Sequence, residues 1–188
     1  MLSPTDHERL RILLAARSFR TGQFTLASGR TSTLYFNLKP TMLHPLGAEL
    51  AARALLVIAR DVGATHLSGL EMGAVPLLGA VTALSSAQGT PLFATFVRKT
   101  PKAHGTGEVV EGLGPGETLA GAEVLILEDV VTTGGSVLKA AQAIRAAGGK
   151  AAHCAVLVDR EEGGAEALAA EGIALHPVFR ARDFSGSL

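Results

Sequence analysis

Apolar residues recur along this chain at two periods, and the switches between them divide it into elements. Over residues 5–18 the positions Leu10, Leu13, Leu14 and Phe19 keep helical spacing behind a Ser3-Pro4 start signal. The stretch FTLASGRTSTLYFNLKP (24–40) is rich in Thr, Phe and Tyr around a Ser-Gly-Arg turn, which predicts a β-hairpin. From 44 to 62, Leu46, Leu50, Ala54, Val57 and Ile58 form one helical stripe. Strand and helix then alternate. THLSGL (65–70) predicts a strand, 76–87 a helix, PLFATFV (91–97) a strand and EVLILE (123–128) another. Val137, Ala141, Ile144 and Ala147 give the next helix its buried face, and AAHCAVLV (151–158), a helix over 164–171 and IALHPVF (173–179) complete the series. The strands are continuous apolar runs, as a parallel sheet covered by helices on both faces requires. The expected fold class is therefore α/β: a central, mostly parallel sheet flanked by helices. It forms a single domain over 1–188 with a small addition from residues 1–40.

Composition narrows the function classes. A chain of 188 residues suits one domain with a full core. With 47% hydrophobic and 18% charged residues it reads as globular rather than disordered. No apolar run approaches a membrane span, and the N-terminus MLSPTDHERLRILLAARSF has early acidic residues and no export-type apolar core. A cytoplasmic protein with no membrane partner is expected. Seventeen basic residues balance seventeen acidic ones, so no global field draws in nucleic acid, and charge chemistry must be local. Cys154 is the sole cysteine and lies in AHCAVLV, which excludes an internal disulfide and a cysteine-based zinc cluster; it reads as a core thiol.

One segment carries chemistry on its face. VLILEDVVTTGGS (124–136) ends a hydrophobic strand in two adjacent acids, then opens a run of hydroxyls and glycines before a helix. In a parallel sheet, ligands sit beyond the carboxyl ends of the strands. Glycines let backbone N–H groups approach an anion, Thr and Ser add donors, and the helix N-terminus adds partial positive charge. The segment thus describes a phosphate cup with two carboxylates suited to sugar hydroxyls or a metal-bound polyphosphate. Acids capping a helix beside a plain Gly-Gly turn fit the same residues, and both readings stand at this level. Neither a P-loop nor a dinucleotide glycine motif is present.

The full stretch resembles the phosphoribosyl-pyrophosphate (PRPP) motif of type I phosphoribosyltransferases. The resemblance implies that Glu128 and Asp129 hold the ribose hydroxyls. Thr132, Thr133, Gly134, Gly135 and Ser136 would hold the 5-phosphate, with Val130 and Val131 also among the residues that meet PRPP. The glycine-rich VRKTPKAHGTGEVVEG (97–112) resembles the catalytic loop and returning strand of the orotate phosphoribosyltransferase family. Its Arg98, Lys99, Lys102 and His104 have no obvious acidic partners nearby in sequence and would meet PRPP. Lys102 and His104, with Asp129, are the catalytic candidates, the first two assisting departure of pyrophosphate. FTLASGRTSTLYFNLK resembles that family's N-terminal segment, implying that residues 1–40 form a hood with Tyr35 and Phe36 near the base. Some family members have a PRPP-contacting lysine where this chain has Ala27, so no such role passes to it. SGLEMGAVPLL (68–78) resembles the pyrophosphate loop, with Gly73-Ala74 in place of two glycines, and implies a cis peptide within Glu71-Met72-Gly73. VLVDREEGG (156–164) resembles the segment whose arginine, here Arg160, would pair with the orotate carboxylate through its bidentate fork, Thr132 lying alongside the base.

Together these resemblances imply a type I phosphoribosyltransferase fold. They imply a Mg²⁺-dependent enzyme making orotidine 5-monophosphate and pyrophosphate from orotate and PRPP. The metal would be held mainly by PRPP, near Glu128 and Asp129. A homodimer with shared active sites is expected. Two alternatives are a phosphoribosyltransferase for another base and a PRPP-sensing regulator; Arg160 argues against the first, and the short N-terminus, with no room for a DNA-binding module, against the second.

Overall fold

The computed structural model describes residues 3–25, 31–100 and 109–184. The chain opens with α1 (Pro4–Ser18), whose cap Ser3 accepts the Asp6 N–H on its side-chain oxygen at 3.1 Å, with Pro4 in the first turn where no donor is missed. Leu10 and Leu14 are its buried face. Phe19, counted above in the helical stripe, instead takes an extended conformation (φ −108°, ψ 135°) and begins β1 (Phe19–Thr25). β1 pairs antiparallel with β2 (Thr31–Phe36), setting Phe19 opposite Phe36 and Arg20 opposite Tyr35. One turn, α2 (Lys39–Met42), then leads into α3 (Pro45–Asp61), which buries Leu50, Ala54 and Leu55. Four residues are too few to show a period, so α2 leaves no signal in the hydrophobic pattern.

Five strands among the described residues form one sheet: β3 (His66–Ser68), β4 (Phe93–Ala94), β7 (Glu123–Val131), β8 (Lys150–Asp159) and β9 (Ala174–Arg180). Their order is β4-β3-β7-β8-β9, and every neighbouring pair is parallel. The crossovers are helical: α4 (Val75–Ala87), α5 (Gly135–Ala146) and α6 (Gly164–Ala170). The strand expected over 91–97 divides in two. β4 joins the parallel sheet, while β5 (Phe96–Val97) pairs antiparallel with β6 (Val110–Glu111) in a separate two-stranded sheet. A periodic pattern cannot report that change of partner. β7 also runs three residues past the expected end, so the two acids lie within the strand's last turn of pleat rather than after it.

Alternation along β7 and β8 builds the core. Leu125, Leu127, Ala155 and Leu157 pack toward α1, α3 and α4; Val124, Ile126, Cys154 and Val156 pack toward α5 and α6. Both faces are covered, so both phases of the alternation are apolar and the sequence shows an unbroken run. Burying one large aliphatic side chain stabilises by about 1.5–3 kcal/mol, and these strands supply several. Cys154 is buried there, and burial pushes its thiol well above the ordinary range. A 3₁₀ turn (Ala181–Phe184) closes the described chain. Its Phe184 meets Phe19, Phe36 and Phe179, with ring centroids 5.5 to 5.8 Å away, and so fastens the N-terminal strands to the sheet. No helix among the described residues is long and apolar enough to cross a membrane.

Candidate active site

β7 delivers its two acids to the carboxyl end of the sheet. Glu128 is only 6% exposed; one of its carboxylate oxygens accepts the Asp129 N–H at 3.1 Å, and an Asp129 oxygen accepts the Val130 N–H at 2.9 Å. Burial, and then the neighbouring Asp129 charge, push the Glu128 carboxyl up to about 9, with Lys99 pulling weakly the other way. The free pair therefore retains a proton near neutrality.

The turn after β3 faces these acids. Its Glu71–Met72 peptide is cis, as the family resemblance implies. A Cβ on Gly73 would stand 2.6 Å from Asp129 Oδ1 and 2.8 Å from Glu128 Oε1, so a side chain there would have to push the two carboxylates aside. Glu71 accepts the Lys99 N–H at 2.9 Å and ties this turn to the strand entering the basic loop. Between them lies a cavity of about 280 Å³ whose walls include Lys39, Glu71, Gly73, Lys99 and both acids. Two ammonium groups beside Glu128 and Asp129, with a third carboxylate, Glu71, engaged by the Lys99 N–H, suit a ligand carrying both phosphate and hydroxyl oxygens. Lys39 went unassigned in the sequence; its one signal is that it closes the hairpin segment quoted above.

A second hollow of about 200 Å³ is formed by residues 130–137 with Glu128. Every residue expected to meet PRPP from Val130 through Ser136 lines it. Gly134 precedes α5 in the left-handed region at φ 83°, where a side chain is strained, and turns the helix N-terminus inward. The two hollows share Glu128, Val130 and Ser136, so they adjoin along that wall.

The basic loop is anchored at its stem. The Arg98 N–H bonds the Val109 carbonyl at 2.9 Å, and its guanidinium meets Glu111 at 3.1 Å. For Arg98 this corrects the expectation of no acidic partner: Glu111 is brought opposite by β5–β6 pairing. Lys99 lines the cavity, whereas Arg98 is engaged at the stem. Lys102 and His104, like Ala27, lie outside the described residues.

On the other side, Arg160 follows β8 and is held by its own N–H to the Val131 carbonyl at 2.9 Å. Its guanidinium carbon lies 6.0 Å from the Phe36 ring centroid and its Nη2 lies 2.5 Å from Glu162 Oε1. The structure thus joins Phe36 of the hairpin to Arg160. Tyr35 precedes Phe36 on β2, so its side chain leaves from the opposite face, and it is 40% exposed.

Comparison with known proteins agrees with this arrangement. The model of the phosphoribosyl transferase domain family matches residues 43–171. An orotate phosphoribosyltransferase of Bradyrhizobium sp. (strain ORS 278) is 48% identical over 184 residues, covering 98% of this chain and all of that one. The orotate phosphoribosyltransferase of Mycobacterium tuberculosis H37Rv superposes with a TM-score of 0.82 at 35% identity, covering 95% of this chain and 98% of that one. Its complex with PRPP superposes at 0.78 and 32% identity, covering 96% and 99%. The chain belongs to the orotate phosphoribosyltransferases, pentosyltransferases of pyrimidine biosynthesis that move the phosphoribosyl group of PRPP to orotate.

Proposed function

We propose that this enzyme is Mg²⁺-dependent and that its chemistry is built on the two adjoining hollows at the end of β7. The observation that carries the reading is the pair of acids turned toward Gly73, between the glycine cup and the lysine-lined cavity. The 5-phosphate of PRPP sits on the amides of 132–136, its ribose hydroxyls bond Glu128 and Asp129, and its pyrophosphate lies by Lys39 and Lys99. A Mycobacterium tuberculosis relative solved with PRPP supports that substrate.

The donor set fits a hard cation. Among the described residues no group of three or more His, Cys, Asp or Glu could hold a metal, but the two acids offer oxygen ligands beside a polyphosphate cavity, the setting in which Mg²⁺ is bound largely through substrate. When bound, the ion would neutralise charge on the pyrophosphate and hold Glu128 and Asp129 ionised.

Orotate places its carboxylate on Arg160, with Phe36 and Thr132 alongside. Its ring nitrogen attacks C1 of the ribose and gives up its N–H proton as the bond to the pyrophosphate oxygen breaks; the electron pair leaves with that oxygen, and the released pyrophosphate takes up the proton. Positive character on C1 is stabilised by the facing acids, and negative charge on the leaving group by Lys99 with Lys102 and His104 of the loop. We place the last two in trans, across a homodimer.

The assay is pyrophosphate release from PRPP with orotate, uracil and hypoxanthine in parallel, with and without a chelator. Turnover with orotate alone, abolished by chelation and restored by Mg²⁺, is the expected result. Comparable turnover with uracil would overturn the role of Arg160, and full activity under chelation would overturn the metal requirement.

A further inference from the structure

The segment after β8 doubles back on itself. Asp159 accepts the Glu161 N–H at 2.9 Å, Glu161 takes a left-handed φ of 57°, and Gly163 follows at φ 88°. This turn sets the Glu162 carboxylate on the Arg160 guanidinium at 2.5 Å. The two partners differ in freedom: the Arg160 side chain is 6% exposed and the Glu162 side chain 28%. Glu161, next in the chain, faces Arg182 at 3.4 Å instead.

We propose that Glu162 is an internal stand-in for the substrate's carboxylate, holding Arg160 while the base site is empty and yielding it when orotate arrives. The inference rests on reading Arg160 as the partner of the orotate carboxylate. A guanidinium buried this deeply needs a counter-charge in the free enzyme, since an uncompensated buried charge is costly. Glu162 supplies one with the same functional group that orotate carries, so the two compete for one fork. Arg160 is fixed by burial and by the face of Phe36, whereas Glu162, on a surface turn, can swing into water. Each binding event is then an exchange of carboxylates. Exchange weakens orotate binding, and it speeds release of orotidine 5-monophosphate, which keeps the carboxylate.

The test is Glu162→Gln, read by KM for orotate and for PRPP and by Kd for orotidine 5-monophosphate. Orotate KM and nucleotide Kd should both fall about two- to fivefold, the range for a partly exposed ion pair, while PRPP KM stays unchanged. In an Arg160→Ala background the same change should have no further effect. A folded Glu162→Gln enzyme with orotate KM unchanged or raised, beside an Arg160→Ala enzyme whose orotate KM rises, refutes the stand-in and leaves Arg160's role intact. An Arg160→Ala enzyme with unchanged orotate KM removes both. Should the glutamine variant not fold, Glu162→Asp, one methylene shorter, serves with the same signs and a smaller effect.

Discussion

Ionising Glu128 in the free enzyme works against both burial and a like charge, and this has a consequence for stability. Its folded pKa, about 9, lies above the ordinary 4.5. A raised pKa means the folded state binds the proton more tightly than the unfolded chain. The resulting stabilisation is complete below pH 4.5 and is lost as pH climbs from there through about 9. Glu128→Gln cannot titrate. Relative to that variant, wild type should lose melting temperature steadily across this window, and the two curves should diverge most near pH 9. Each kcal/mol is worth about 2–4 °C in a domain of this size, so ordinary melts over a pH series suffice; parallel curves would show that Glu128 ionises freely. At this scale the acids and the cup were legible because their residue types carry their chemistry locally. The partners of Arg98 and Arg160 were not. Glu111 reaches Arg98 only because two strands pair, and Glu162 reaches Arg160 only through a turn with a left-handed residue.

The turn between β3 and α4 has a role that no side chain reveals. Gly73 contributes an absence, and the acids occupy the space beside it. A methyl forced into a packed site costs about 1–3 kcal/mol, or about five- to 150-fold in affinity if it all falls on the ligand. Gly73→Ala should therefore raise PRPP KM within that range. A Cβ added at Gly79, on α4, would meet nothing within 4 Å, so Gly79→Ala should leave PRPP KM unchanged and raise the melting temperature slightly. Equal KM effects from the two would show that Gly73 acts only through general packing. Long elements were read well from sequence: α3, α4, β8 and β9 fall within one residue of their expected bounds, as does the shorter α6. The single turn α2 and the pair β4 and β5 were not. β4 and β5 merged into one apparent strand because partner changes leave no trace in a hydrophobic period, and Thr95 between them is buried with its hydroxyl donating to Ser68 Oγ at 2.9 Å.

As a whole, the molecule sets the acids, the cup and Arg160 at the carboxyl ends of β7 and β8, whereas the basic loop is flanked by the two-residue strands β5 and β6. Sequence order alone could place the first group, because each lies at the end of a predicted strand. Whether the loop serves its own chain or a second copy depends on assembly, which a single chain's periodicity does not encode. The central claim is that the active site joins the acids of one chain to the loop of another, and subunit mixing tests it most directly. Lys102→Ala and Asp129→Asn are each expected to be inactive. Mixed in equal amounts and allowed to exchange, half the dimers are hybrids, and each hybrid has one site free of both defects. Activity should return to about a quarter of wild type. Confirmed exchange with no recovered activity would contradict the claim.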